Sequence, residues 1–176
     1  MYVEVWLEKE ALAGVLLEVT AEWDVPLMVT RGFASLSYLH GAAETIGRID
    51  KPTYLYYVGD SDPSGVEIDR NIQRRLRQFV APNDSLIHFE RVAVTPAQIA
   101  EHALPTRPTK RTSHGRGLHH GESVEVDALD PDDLRDLVHG RIAQHVDVDR
   151  LRVHLAAEES ERKLLGGLPA MLRRSA

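Results

Sequence analysis

The chain has 176 residues, of which 43% are hydrophobic and 27% are charged, and its formal net charge is −6. These values are typical of a globular domain with a hydrophobic core, and the length suits one α/β domain with a loop or a tail. The chain contains no cysteine, which excludes disulfides, thiolate zinc sites, iron–sulfur clusters and cysteine nucleophiles. Because it has no signal-like N-terminus and no long apolar run, we expect a cytoplasmic protein that does not enter a membrane.

The N-terminal part of the chain alternates between apolar strands and amphipathic helices. Residues 3–7 predict a strand, and residues 11–23 place apolar side chains at helical spacing. Residues 27–30 predict a second strand, and Ser35 is a candidate N-cap for a helix that runs to about Ile49. The first 49 residues thus predict two consecutive strand–helix units.

The same alternation continues to about residue 100. Residues 53–58 are rich in tyrosine and valine, as expected for a buried strand, and residues 64–80 predict the next helix. Residues 85–94 predict a fourth strand, and Thr95-Pro96 is a good helix start. The pattern predicts a Rossmann-like α/β domain with a mostly parallel sheet of four to five strands and helices on both faces. In such sheets, ligands bind at the carboxyl ends of the strands.

The C-terminal part departs from this regular alternation. Residues 104–121 combine prolines, glycines, histidines and basic residues without an acidic residue, which predicts a long basic loop. Residues 123–126 predict a fifth strand, residues 131–146 a helix, and residues 148–165 a last helix ended by Gly166-Gly167. The predicted organisation is an α/β core at 1–102, the basic loop at 103–122, a final strand and helix at 123–147, and a C-terminal helix and tail at 148–176.

Three acidic residues follow predicted strands. Glu8 comes directly after the first strand, and Asp60 and Asp62 come directly after the third. Since parallel strands end at the same edge of a sheet, we expect the three carboxylates to converge there, with Gly65 allowing a tight backbone at the next helix start. Mg²⁺ takes oxygen ligands and is commonly held by one or two carboxylates together with a substrate phosphate. The alternative is structural, because Asp-x-Asp-Pro segments often form a turn and a helix cap.

The residues around these acids resemble a known family. The sequences Leu-Glu-Lys-Glu-Ala-Leu at 7–12, Thr-Arg-Gly-Phe at 30–33 and Gly-Asp-Ser-Asp-Pro-Ser-Gly-Val-Glu-Ile at 59–68 resemble the Toprim signature of topoisomerases, bacterial primases and certain nucleases. The chain looks most similar to the version in the topoisomerase VI A subunit and the related meiotic double-strand-break proteins. The resemblance implies a Toprim fold.

The resemblance extends to about residue 146. Segments 91–99, 104–110 and 124–129 are similar to a group of stand-alone bacterial Toprim-like proteins. The family implies that Glu8 acts as a metal ligand or general acid/base and that Asp60 and Asp62 bind Mg²⁺, which Mn²⁺ can replace. It also implies a nucleic-acid substrate, with DNA favoured over RNA.

The chain departs from topoisomerases of this class in one respect. Those enzymes use a separate winged-helix domain that supplies a tyrosine nucleophile, and the chain has no room for such a domain. Its tyrosines lie in predicted strands and helices, where core packing is the expected role. If the chain works alone, hydrolysis by a metal-activated water is the simplest reaction, with Glu8 moving the proton.

Several other side chains are candidate contacts at the same sheet edge. Arg31, at the end of the second strand, and Lys110 and Arg111, in the basic loop, are candidate phosphate or nucleic-acid contacts, with solvated loops as the alternative. Glu125 and Asp127 are second-tier acidic candidates, because their segment resembles a feature of the stand-alone group. Their alternation in a strand would put both on one face near the other acids or leave them exposed at an edge. Arg70, Arg74 and Arg77 share a helix face that we interpret as solvated, and His114, His119 and His120 lack the spacing of a zinc site.

Two functional hypotheses follow from these patterns. The first is a Mg²⁺-dependent nucleic-acid-processing domain that cleaves phosphodiester bonds, as a nuclease or a topoisomerase-related enzyme. The alternative is a non-catalytic Toprim-like module that binds nucleic acid or a partner protein, or a second copy of itself, with residues 148–176 as a docking helix. A phosphoacceptor receiver domain fits less well, because it leaves Asp62 and Gly65 unexplained.

Overall fold

The computed structural model describes residues 1–49, 51–80, 87–108 and 122–174. It divides into two compact units, residues 1–142 and residues 143–176. The first unit contains a sheet whose strands are β1 (Tyr2–Leu7), β2 (Leu27–Val29), β3 (Thr53–Val58) and β4 (Ile87–Ala93). Its helices are α1 (Ala13–Glu22), α2 (Leu36–Ile49), α3 (Pro63–Val80), α4 (Pro96–Glu101) and α5 (Pro131–Ala143), the last residue of which belongs to the second unit.

The sheet is parallel throughout, in the order β2-β1-β3-β4. The predicted α/β class with a parallel, helix-flanked sheet is therefore confirmed, with four strands. The chain moves from β1 outward to β2, returns past β1 to β3, and continues outward to β4. The strand order thus reverses between β1 and β3, the point where ligands bind in sheets of this kind.

Helices α2 and α3 pack together on one face of the sheet. Apolar residues of both helices meet inward-facing residues of the strands, and Trp6, Leu55 and Leu76 in this core have no solvent exposure. The opposite face of the sheet is buried too, as are inward residues of α1 and α5. Arg135 on α5 contacts Glu18 on α1 through a 2.9 Å ion pair, which ties these two helices together.

Residues 123–126 do not form a fifth strand of the parallel sheet, so this prediction is wrong. Glu122–Ser123 (β6) instead pairs antiparallel with Arg107–Pro108 (β5), and Val124 makes an isolated antiparallel bridge with Ser61. A 3-10 turn, Val126–Ala128, follows directly. The backbone groups that a fifth strand would have offered to the sheet are used here to bind the loop after β3.

The C-terminal helix also differs from the prediction. Helix α6 spans Val148–Arg174, so Gly166-Gly167 does not end it. A glycine costs only about 1 kcal/mol in a helix relative to alanine, and helix-forming residues on both sides can offset that cost. Among the described residues, no helix is both long enough and apolar enough to cross a membrane.

Candidate active site at the edge of the sheet

Glu8 and Asp60 lie beside each other where β1 and β3 end. Leu7 pairs with Val58 in the last register position of these strands, and the Glu8 amide then donates to the Val58 carbonyl at 2.9 Å. The next residues along each strand therefore leave the sheet at the same edge, at the point where the strand order reverses. The structure places both acids where an α/β sheet binds its ligands.

The Glu8 carboxylate is held through one of its oxygens. Oε2 accepts hydrogen bonds from the Tyr57 hydroxyl at 3.0 Å and from the Asp60 amide at 3.3 Å. Burial raises the pKa of Glu8 above its ordinary value, the Tyr57 hydrogen bond opposes this shift, and the nearby Asp60 charge adds to it. Burial also raises the pKa of Tyr57, so its hydroxyl stays a donor. Oε1 accepts no hydrogen bond from the described part of the chain.

The Asp60 carboxylate is held by a segment that is distant in sequence. Its Oδ1 accepts from the Val126 amide at 2.9 Å, while Ser61 and Val124 exchange two backbone hydrogen bonds of 2.8 and 3.0 Å. Burial raises the pKa of Asp60 above its ordinary value, and the Val126 hydrogen bond opposes this shift. The 3-10 turn after β6 thus fixes the orientation of one of the predicted metal ligands.

Asp62 caps helix α3. Its Oδ1 accepts from the Gly65 amide at 2.5 Å, and its carbonyl accepts from the Val66 amide at 3.0 Å. This is the helix-cap geometry that the Asp-x-Asp-Pro segment also predicts. Its second carboxylate oxygen accepts no hydrogen bond from any described residue.

Arg91, to which the sequence patterns assigned no role, holds the loop between β3 and α3. Its guanidinium donates to the carbonyls of Gly59 at 2.9 Å, Asp60 at 3.0 Å and Gly65 at 3.0 Å, and its Nε donates to the Asp69 carboxylate at 2.7 Å. It also lies 5.2 Å from the centre of the Tyr57 ring. In the sequence, Arg91 is marked only as a charged residue next to the apolar end of a strand. That pattern by itself does not identify its hydrogen-bond partners.

Two glycines allow the backbone of this loop to approach its neighbours. A Cβ on Gly59 would overlap the Glu8 carboxylate and the Tyr57 ring, and a Cβ on Gly65 would overlap the Asp60 carbonyl. Backbone atoms cannot move aside as a flexible side chain can. The Gly65 position therefore requires glycine for steric reasons.

The second-tier acids Glu125 and Asp127 lie near this loop but are neutralised by basic partners. Lys9 donates to Glu125 at 3.1 Å and to Asp127 at 2.5 Å, and Arg107 donates to the other Glu125 oxygen at 3.1 Å. The Lys9 hydrogen bond lowers the pKa of Asp127 below its ordinary value. Glu125, Asp127 and Arg107 line an open cleft of about 240 Å³ together with Pro105, Ser123 and Ala128.

Of the remaining predicted contacts, only Arg31 is among the described residues, and it is not brought into the site. Arg31 has left-handed backbone, with φ of 53°, and its exposed side chain pairs with Glu10. Lys110 and Arg111 lie outside the described residues, as do the three histidines of the basic loop. The predicted nucleic-acid contact by that loop stays a prediction.

The donor atoms fit a hard cation in type, because all of them are carboxylate oxygens. Glu8, Asp60 and Asp62 each use one oxygen for an internal hydrogen bond and leave the other without a hydrogen-bond partner among the described residues. Within that part of the chain, however, no three His, Asp or Glu side chains are grouped closely enough to hold one metal ion. Glu8 and Asp60 are the adjacent pair.

We expect Gly65→Ala to destabilise the protein by about 1–3 kcal/mol, because the new methyl group overlaps a backbone carbonyl. Gly41→Ala is the matched control, since Gly41 also lies in a helix but a Cβ there meets nothing within 4 Å. This control should be stabilised by about 0.5–1 kcal/mol. Urea unfolding measures both changes, and a Gly65→Ala protein as stable as the wild type would contradict the steric interpretation.

Arg91→Lys keeps the positive charge but cannot reach three carbonyls and Asp69 at once, so we expect a loss of about 1–3 kcal/mol in the free energy of unfolding. Arg48→Lys is the control, because the Arg48 side chain is 79% exposed and its ion pair with Glu44 is long, at 4.0 Å. That substitution should change stability by less than about 0.5 kcal/mol. Equal effects at the two positions would show that the Arg91 contacts contribute little.

Glu8→Gln should stabilise the folded protein increasingly as the pH rises above about 4.5, the ordinary pKa of the group. Because the folded-state pKa is raised, the folded wild type binds more protons than the unfolded chain in this range and loses stability with increasing pH. Glutamine does not titrate and keeps an acceptor for Tyr57. The measurement is the difference in melting temperature between variant and wild type from pH 4 to pH 8.

Asp127→Asn is the control for this pH series, because the pKa of Asp127 is shifted in the opposite direction to that of Glu8. The lowered pKa of Asp127 means that its pair with Lys9 adds stability above about pH 3.8 and loses it as the pH falls further. The variant should therefore be less stable than the wild type at neutral pH, and the difference should shrink in acid. Parallel pH profiles for the two variants would refute the assigned shifts.

No protein-family model matches this chain, and no curated protein matches it significantly. The case for a function is therefore carried by the side chains at the end of β1 and β3 and by their surroundings.

Proposed function

We propose that this chain is a Mg²⁺-dependent, Toprim-like domain that processes nucleic acid by cleaving phosphodiester bonds, with DNA as the favoured substrate. The observation that carries the proposal is the position of Glu8 and Asp60 just after the carboxyl ends of adjacent parallel strands, where the strand order reverses. Ligand sites of α/β sheets occur at this point. Two neighbouring carboxylates with raised pKa values at such a place are also typical of functional sites.

Glu8 and Asp60 are the residues that would hold the cation, with Asp62 as the third predicted ligand, and Mn²⁺ would bind in the same way. When bound, such an ion supplies charge neutralisation at the scissile phosphate and lowers the pKa of a coordinated water. Magnesium keeps several waters and often takes only one or two carboxylates, so the adjacent pair Glu8 and Asp60 meets its requirement without a closed cage of protein ligands.

The protein's own groups have separate roles in this proposal. In its alternative role as general acid or base, Glu8 would move a proton instead of binding the cation, and a raised pKa, closer to the operating pH, suits that role. Tyr57 orients the carboxylate by donating to Oε2. Arg91 holds the carbonyls on both sides of Asp60 and so keeps that aspartate in place. It is a positioning residue, because it contacts the loop.

A non-catalytic binding module is the second candidate, and one observation favours it. Each of the three acids already has a structural contact, and Asp62 serves as an ordinary helix cap. Such a module would bind nucleic acid or a partner protein without turnover and independently of metal.

The decisive experiment is a cleavage assay on single- and double-stranded DNA and RNA with Mg²⁺, Mn²⁺ or chelator. We expect Asp60→Asn, Asp62→Asn and Glu8→Gln each to lower the rate by at least about 100-fold. Asparagine caps helices as well as aspartate does, so Asp62→Asn separates a metal role from the capping role. Glu44→Gln, an exposed substitution on α2, is the control with unchanged rate.

A second measurement does not depend on turnover. Mg²⁺ should raise the melting temperature of the wild type in a concentration-dependent way, and it should do so less in Asp60→Asn. Metal-independent binding of nucleic acid with no cleavage of any substrate would instead establish the binding module.

A further inference from the structure

Helix α3 carries an unusual set of arginines. Arg70, Arg74, Arg75 and Arg77 all lie in this helix, and none of them forms an ion pair within the described chain. Arg74 and Arg75 donate only to the neutral side chains of Asn71 and Gln78, at 3.1 and 3.2 Å.

Every other arginine that is described in residues 1–142 has a carboxylate partner. These arginines come from two strands, one loop and two other helices, α2 and α5, so arginines in the described part of this unit are generally paired. They are Arg31, Arg48, Arg91, Arg107, Arg135 and Arg141. Among the described residues of 1–142, the arginines without an ion pair therefore all lie on α3.

Three of these arginines form a continuous surface, which we call the α3 stripe: Arg70, Arg74 and Arg77. All three are exposed. At 3.6 residues per turn they fall within about 60° of one another, and they span about 10 Å along the helix axis. The buried side of the helix is opposite, where Ile72 and Leu76 are 1% and 0% exposed.

The α3 stripe has an energetic cost within the chain. Like charges at i,i+4 and i,i+3 destabilise a helix by a few tenths of a kcal/mol per pair, and Arg70–Arg74 and Arg74–Arg77 have these spacings. Asp69, an acid on the same helix, is occupied by Arg91 at 2.7 Å. Glu67, the other acid of the helix, is exposed and forms no ion pair with the stripe in the described structure.

The α3 stripe begins close to the proposed active site. Helix α3 starts directly after its cap Asp62, and Arg70 lies eight residues further on, about 12 Å along the axis. The chain as a whole carries a net charge of −6, which repels a polyanion. A local run of unpaired guanidinium groups beside the acidic site is the kind of surface that can offset this repulsion.

We propose that the α3 stripe binds the phosphate backbone of the nucleic acid whose scissile phosphate lies at Glu8 and Asp60. This inference rests on the proposed function and names the surface that holds its substrate. The planar guanidinium group donates two parallel hydrogen bonds to a phosphate, and arginine is the side chain best suited to that contact. The contacts are to the backbone, so they position the strand without reading its sequence.

The test measures the affinity for fluorescein-labelled single- and double-stranded DNA and RNA by fluorescence anisotropy. The titrations are made in the presence of chelator and over a range of salt concentrations. The variant is the triple substitution Arg70→Gln/Arg74→Gln/Arg77→Gln. We expect its affinity to fall at least tenfold at low salt. For duplex DNA, the slope of log K against log salt should become shallower by up to about 2.7, because each lost phosphate contact contributes about 0.9.

Two control proteins accompany this variant. Arg48→Gln/Arg152→Gln/Arg162→Gln makes the same charge change at side chains that are 79%, 74% and 78% exposed, and it should bind like the wild type. Arg70→Lys/Arg74→Lys/Arg77→Lys keeps the charge and should retain most of the salt dependence. Glutamine and lysine are both good helix formers, so circular dichroism should show all variants folded.

The outcomes separate this inference from the proposed function. If the glutamine triple variant binds as the wild type does while Asp60→Asn abolishes cleavage, the α3 stripe is not the contact surface and the proposed function stands. If the stripe variant loses binding but no protein cleaves any substrate, the surface is supported and catalysis is refuted. If the wild type binds polyglutamate through the stripe but neither DNA nor RNA, the partner is an acidic protein and the inference is overturned.

Discussion

The site depends on one guanidinium group. Arg91 reaches from β4 to the carbonyls of Gly59 and Asp60 in the loop after β3, and to the Gly65 carbonyl and the Asp69 carboxylate in α3. It also lies over the ring of Tyr57, which in turn donates to Glu8. A planar fork with five donors can satisfy this many acceptors from one position, which an ammonium group cannot. Arg91 thus acts on the two candidate acids through their neighbours: it bonds the Asp60 backbone carbonyl, and it contacts the ring of the tyrosine that donates to Glu8.

The same arrangement makes it energetically costly to ionise both Glu8 and Asp60. Glu8 and Asp60 are partly desolvated, lie near each other, and have pKa values raised mainly by burial. Nearby Lys9 is engaged with Glu125 and Asp127, so its charge is shared among several acids. Proteins retain such costs where charge is needed for binding or chemistry, and stability and activity then oppose each other.

The distribution of ion pairs in the first unit is also uneven. Outside α3, the arginines described in residues 1–142 pair with acids, whereas Arg70, Arg74, Arg75 and Arg77 of α3 do not. The acids Asp60 and Asp62 lie just before α3, and the α3 stripe lies along it. In the proposed function, the acids would hold the cation and the arginines the phosphate backbone.

The sequence by itself determined the α/β class, the parallel sheet and the positions of Glu8 and Asp60 just after strands, because these follow from apolar periodicity, which is local. Only the tertiary structure decided that residues 123–126 bind the loop at Ser61 and that Arg91 and Lys9 organise the site, since their partners are 22 to 118 residues away. Periodicity reports which face of an element is buried. Which distant polar groups then meet depends on the order of the strands and on the path of the connections.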